Sequence, residues 1–157
     1  MVIGIGNAMR GDDGIGPTVI EALRHRLERD DVELLIGSGE STALIEAWTG
    51  RSLAVVIDAV QANTEPGTVH RADFDLVASS GWHAGASSHG AGLAEAVALS
   101  EVLDRRPARL LVLGVEWGGL EHGRGLSGSV AAAIPALVEL IEHELDSSVA
   151  APRVGEA

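Results

Sequence analysis

The chain has 157 residues, of which 46% are hydrophobic, 3% are aromatic and none is cysteine. This length suffices for one domain with a substantial core, and the lack of cysteine excludes disulfides, a cysteine nucleophile and thiolate metal ligands. The formal net charge of −12 argues against a nucleic-acid binder, because neutralising phosphates requires a basic face. It suits a cation or a basic segment as partner, although acidic solubility alone would also explain it.

No apolar run in the sequence approaches the ~20 residues of a membrane-spanning helix. The N-terminal segment enters a strand-like pattern directly and carries no basic region of the kind found in signal peptides. We therefore expect no membrane association and a cytoplasmic location, and we expect the chain to be a monomer.

Hydrophobic patterning predicts strands that alternate with helices. Apolar runs predict strands, and apolar residues at helical spacing predict helices. Ser41 is the expected cap of the second helix, and Ser127 or Ser129 that of the last. The predicted strands are 2–5, 32–36, 52–58, a polar edge strand at 68–72, and 109–114; the predicted helices are 15–29, 42–48, 89–103 and a last helix with its apolar stripe at 130–145.

This alternation predicts an α/β fold, a three-layer α/β/α sandwich with a mostly parallel, twisted sheet covered by helices on both faces. Residues 74–88 and 116–126 are expected to be loops, the second rich in glycine. We assign residues 1–146 to a single domain and residues 147–157 to a flexible C-terminal tail, since small residues and Pro152 dominate there.

Several polar groups follow the predicted strands. Asn7, Asp12 and Asp13 come after the first strand, Asp58 ends the third, and His89 begins a helix at the same edge. The carboxyl ends of parallel strands meet at one edge, which is where open α/β folds place their sites. Two carboxylates and an imidazole suit a borderline divalent ion such as nickel or zinc.

Each of these residues also has a structural interpretation. Asp12 or Asp13 can cap the first helix and complement its dipole, although both cannot be the cap. Asp58 can simply make a turn at a strand end, and His89 can be only a helix-start residue. Glu116, just past the last predicted strand, is a candidate supporting acid at the same edge.

Other catalytic signatures are absent from the sequence. The spacing of Gly4, Gly6 and Gly11 does not fit a dinucleotide fingerprint. The sequence contains no nucleophile elbow, P-loop or zinc-protease motif.

Five segments, in this order, resemble the nickel–iron hydrogenase maturation proteases, the endopeptidases that trim the C-terminus of the hydrogenase large subunit. The segments are GIGNAMRGDDGIG at 4–16, VVIDAV at 55–60, EPGTVH at 65–70, SSHGAGLAEAVAL at 87–99 and LVLGVEW at 111–117. The resemblance extends over about residues 1–145 and implies a twisted, five-stranded sheet between helices.

The resemblance also implies a site. In that family a carboxylate of the first loop, an aspartate after the third strand and a histidine at a helix start bind nickel, and these positions match Asp13, Asp58 and His89. The same three residues are our candidates for catalysis. Asn7, Asp12 and Glu116 match the supporting positions of the surrounding loops.

The implied function is a nickel-dependent endopeptidase that removes a C-terminal peptide from the hydrogenase large-subunit precursor. Nickel would be carried by the precursor, and other divalent ions could occupy the same ligands. Water attack could be driven by the metal or by a carboxylate base such as Asp13. A non-catalytic nickel-sensing chaperone using the same ligands is the alternative. A peptidyl-tRNA hydrolase-like enzyme is disfavoured, since the chain is acidic.

Overall fold

The computed structural model describes residues 1–73 and 90–150. Within these residues, the strands form one five-stranded sheet in which only the last-placed strand is antiparallel to its neighbour. The strand order is β2-β1-β3-β5-β4. The strands are Val2–Ile5 (β1), Leu34–Gly37 (β2), Ala54–Val60 (β3), Val69–Asp73 (β4) and Leu110–Glu116 (β5).

Helices cover both faces of the sheet, which confirms the predicted three-layer α/β/α architecture. A 3-10 turn at Gly11–Gly14 precedes the first helix. The helices are Ile15–Arg26 (α1), Ser41–Trp48 (α2), Gly90–Val102 (α3), Gly128–Ala132 (α4) and Ile134–Ala150 (α5).

The hydrophobic core is divided by the sheet into two clusters. On one face α1 and α5 bury apolar side chains such as Leu23 and Leu137 against Ile57 of β3. On the other face α2 and α3 bury residues such as Trp48 and Leu93. Both faces of β3 and β5 are fully buried, as expected of central parallel strands with continuous apolar runs.

Strand β3 does not end at Asp58, as the sequence predicted, but continues to Val60. Its last residues keep their pairing with β5, so that Asp58 lies opposite Gly114 and Val60 lies opposite Glu116. Glu116 is accordingly the last residue of β5 rather than the first of a loop. The two strands extend further because each satisfies the other's backbone groups beyond the apolar run.

Several helix boundaries also differ from the prediction. The first helix ends at Arg26. Glu40 rather than Ser41 caps α2, and its carboxylate accepts hydrogen bonds from the N–H groups of Thr42 and Ala43. The predicted last helix is two helices. Pro135 lacks an N–H and fits only the first turn of a helix, so a new helix begins at Ile134 and continues to Ala150.

The predicted edge strand is confirmed at Val69–Asp73. The loop predicted at 74–88 lies outside the described residues. The tail predicted at 147–157 begins within α5, which continues to Ala150, and its remaining residues, 151–157, also lie outside the described residues.

Helix α1 approaches β1 so closely that only glycine fits between their backbones. A Cβ on Gly4 would lie 2.3 Å from the carbonyl oxygen of Gly16 and 2.7 Å from the Ile20 side chain. We expect Gly4→Ala to lower the free energy of unfolding by about 1–3 kcal/mol, since an inserted methyl group must displace the helix.

Urea unfolding monitored by circular dichroism measures this loss. Gly128→Ala is the matched control, because nothing lies within 4 Å of a Cβ built there. Equal unfolding midpoints for the two variants would contradict the packing argument.

Candidate active site

The first loop turns back over the end of β1 because Gly6 adopts a left-handed conformation. Its φ is +132°, and a Cβ there would lie 1.9 Å from the carbonyl oxygen of Asp13. The Asn7 N–H donates to Asp13 Oδ2 at 3.1 Å, and the Asn7 side chain accepts from the Met9 N–H at 2.9 Å. Asn7 therefore shapes the loop and orients the Asp13 carboxylate.

Asp13 and Asp58 are brought to the same sheet edge, and both are fully buried. The 3-10 turn that carries Asp13 packs against β3, the strand that carries Asp58. Neither carboxylate oxygen of Asp58 has a hydrogen-bond partner among the described residues. Burying a carboxylate without such partners is costly and favours its protonated form.

The pKa of Asp58 is accordingly raised to about 8. Burial is the main cause. The nearby Ala59 amide, although outside hydrogen-bonding geometry, offsets part of the shift, and the charge of Asp13 adds to it. Two carboxylates so placed attract either a proton or a metal cation, and this pairing is typical of functional sites.

Asp12 has a different role from its neighbour. Its carboxylate accepts from the backbone N–H groups of Gly118 at 2.8 Å and Gly119 at 3.0 Å. It also accepts from the N–H and the hydroxyl of Ser127, at 2.6 Å and 3.0 Å. Asp12 is 1% exposed, so these bonds compensate its charge and fix the loop between β5 and α4 to the first loop.

Neither aspartate caps helix α1. The N-cap residue is Gly14, which provides no side-chain hydrogen bond to the helix. The capping interpretation of Asp12 and Asp13 is therefore wrong. Ser127 occupies the N-cap position of α4 without making a side-chain capping bond, because its hydroxyl donates to Asp12.

Glu116 fixes the loop that follows β3. Its Oε2 accepts from the Ala62 N–H at 2.7 Å and from the Thr64 hydroxyl at 3.1 Å. His70 Nε2 lies 3.0 Å from the same hydroxyl and 3.6 Å from Glu116 Oε2. Glu116, which is only 3% exposed, thus holds the loop after β3 in place.

The sequence did not indicate the part played by Thr64 and His70. His70 lies on β4 opposite Gly114, which in turn lies opposite Asp58. Only the register of three strands reveals this proximity. His89 lies outside the described residues, and among residues 1–73 and 90–150 no group of three potential metal ligands is found.

The helices in the described part of the chain are all too short or too polar to cross a membrane.

The raised pKa of Asp58 predicts how stability depends on pH without metal. The folded chain keeps a proton on Asp58 that the unfolded chain releases, so the free energy of unfolding falls as pH rises from about 4 to about 8. Asp58→Asn keeps the shape without the charge. We expect this variant to be more stable than the natural protein at about pH 8, because the difference in unfolding free energy grows by about 1.4 kcal/mol for each pH unit across this range.

Urea unfolding in chelator at several pH values measures this difference. Asp146→Asn, on an exposed carboxylate, is the control. The raised pKa of Asp58 would be contradicted if the natural protein became more stable, relative to Asp58→Asn, as pH rises over this range.

The bonds of Asp12 predict that it controls the order of the loop between β5 and α4. Asp12→Ala leaves the N–H groups of Gly118, Gly119 and Ser127 without their acceptor, so we expect a loss of about 3 kcal/mol in unfolding free energy. Amide hydrogen exchange should accelerate at these three residues. Unchanged exchange there, with faster exchange elsewhere, would contradict this role.

The comparisons with known proteins agree with the architecture. The sequence model of the family described as hydrogenase maturation protease matches residues 17–144. The hydrogenase expression/formation protein HupD of Thiocapsa roseopersicina is 33% identical over 156 residues, covering 98% of this chain and 71% of that protein. The hydrogenase 2 maturation protease of Escherichia coli is 30% identical, covering 96% and 93% of the two chains.

Solved structures give the same result. The hydrogenase maturating endopeptidase HybD from E. coli superimposes with a TM-score of 0.81 at 28% identity, covering 94% of this chain and 91% of that chain. The maturation protease HycI from Thermococcus kodakarensis gives a TM-score of 0.68 at 25% identity, covering 92% and 90%. With its sequence, its fold and its family match in agreement, the chain belongs to the hydrogenase maturation protease family.

Proposed function

We propose that this protein is the endopeptidase that removes a C-terminal peptide from the large-subunit precursor of a nickel–iron hydrogenase, and that it acts only on a precursor already carrying nickel. The observation that carries the proposal is the pair of fully buried carboxylates, Asp13 and Asp58, at one edge of the sheet. Membership of the maturation protease family supports the reaction, and the chemistry of the pair supports the metal.

The residues fit a divalent ion. Asp58 is buried without hydrogen-bond partners among the described residues, and the charge of Asp13 raises its pKa further. A divalent cation would neutralise both carboxylates where a proton neutralises only one. His89 is the third proposed ligand, on the family resemblance, and carboxylates with imidazole suit nickel but also other divalent ions.

The chain's own residues can then act on the peptide bond. The bound ion would supply Lewis-acid polarisation of the scissile carbonyl. Asp13, oriented by the Asn7 N–H, is the proposed general base for the attacking water. Asp58 holds a proton at neutral pH, and a divalent cation held by its carboxylate would take the place of that proton. Burial keeps bulk water away from both groups.

This arrangement would explain a requirement for nickel in the substrate. Without the cation, Asp58 stays protonated. It then carries no charge and makes no contribution to binding a metal-free precursor. With the cation, both carboxylates are ionised and bind the precursor through its metal. Recognition and cleavage would therefore depend on the same two side chains.

The test is the intact mass of a large-subunit precursor after incubation with the protein. We expect loss of a C-terminal peptide with nickel-loaded precursor and no loss with nickel-stripped precursor. Asp13→Asn, Asp58→Asn and His89→Ala should each reduce the rate at least about a hundredfold, the scale at which a catalytic base or ligand contributes. Asp146→Asn, on an exposed carboxylate, is the matched control and should cleave normally.

Two results would overturn parts of this proposal. Cleavage of the stripped precursor would overturn the nickel requirement. A stable complex with nickel-loaded precursor but no change of mass would overturn the peptidase assignment in favour of a nickel-sensing chaperone.

A further inference from the structure

A groove lies along the first loop, next to the residue that precedes Asp13, and has no part in the chemistry proposed above. Its volume is about 450 Å³, within the range of natural ligand sites. It opens between the first loop and the loop that joins β5 to α4. Its lining consists of Gly11, Asp12, Gly118, Gly119, Glu121, Arg124, Gly125, Leu126 and Ser127.

The walls of the groove are fixed by the protein itself. Arg10 and His122 form an antiparallel bridge between the two loops. The Gly11 N–H donates to the Arg124 carbonyl and the Asp12 N–H to the Gly119 carbonyl, both at 3.0 Å. The Asp12 carboxylate, at the floor of the groove, accepts four further hydrogen bonds from Gly118, Gly119 and Ser127. The groove is thus formed before any ligand arrives, which lowers the entropic cost of binding.

The lining favours a polypeptide backbone over a small charged ligand. Four of the nine lining residues are glycines, which carry no side chain and so permit another backbone to approach closely. The charged side chains at the rim, Glu121 and Arg124, pair with each other at 3.1 Å, and therefore leave little net charge to attract an anion or a cation. Leu126 adds an apolar contact.

The groove is also in the right place for a peptide substrate. Its floor residue, Asp12, directly precedes Asp13 in the chain, so their Cα atoms are about 3.8 Å apart. Their carboxylates diverge: Asp12 binds the loop under the groove, and Asp13 lies with the buried pair. The groove therefore lies one residue along the first loop from Asp13.

We propose that this groove binds the segment of the precursor next to the scissile bond in an extended conformation. The inference rests on the proposed function, since it names the part of the enzyme that positions its peptide substrate. Binding energy from this segment would hold the peptide bond at Asp13, and positioning of this kind is a large part of catalysis.

Two glycines allow the groove to be filled without disturbing the fold. A Cβ on Gly119 or Gly125 meets nothing within 4 Å, and neither residue has a positive φ. Gly119→Val and Gly125→Val therefore add methyl groups at the lining of the groove without a clash. Gly128→Val is the matched control, because its Cβ also meets open space but Gly128 does not line the groove.

The first measurement is kcat/KM for nickel-loaded precursor. We expect each groove variant to lose about tenfold or more, mainly through KM, and the control to stay within about twofold. Nickel binding and the urea unfolding midpoint should be unchanged in all three variants. Natural values of kcat/KM in both groove variants, with the natural protein active, would overturn the groove assignment and leave the proposed function intact.

The second measurement needs no variant. A synthetic peptide spanning the precursor's cleavage site is added to the natural protein, and amide hydrogen exchange is followed. We expect slower exchange between Gly118 and Ser127. Protection elsewhere, with none in this loop, would overturn the proposal even if the precursor is not cleaved, whereas failure of cleavage alone would overturn only the proposed function.

Discussion

The site depends on how closely the protein's first helix packs against its first strand. Gly4 and Gly16 allow the two backbones to touch, and the positive φ of Gly6 turns the intervening loop back over the strand. This packing buries the 3-10 turn against β3 and places Asp13 where its charge affects Asp58. Larger residues at these glycines would push the helix away from the strand and separate the two carboxylates.

Hydrogen bonding distinguishes two buried carboxylates, Asp12 and Asp58, in this protein. Asp12 and Asp58 are equally buried. Asp12 accepts four hydrogen bonds and is a stable acceptor that joins two loops. Asp58 has no partner among the described residues and carries a raised pKa. Burial without compensation costs stability, and such a cost is expected where a cation or a proton must be bound.

The supporting acids keep the loops around the pair in place. Asp12 holds the loop between β5 and α4, and Glu116 holds the loop after β3 through Ala62 and Thr64. Both are more than nine-tenths buried. Each carboxylate accepts hydrogen bonds from backbone N–H groups of irregular segments. Such bonds to a charged acceptor are stronger than those between neutral groups. The proposed substrate groove is one consequence, because its two walls meet at Asp12.

The sequence by itself determined the α/β class, the central strands and the edge at which Asp13 and Asp58 meet. Continuous apolar runs and helical spacing are local signals, and parallel topology then fixes where strand ends lie. The predicted ends of β3 and the prediction of a single last helix were wrong. Strand pairing decided the first, and Pro135 decided the second. Only the tertiary structure decided what Asp12, Glu116 and His70 contact. Their partners are 6 to 115 residues away, and no local pattern encodes such contacts.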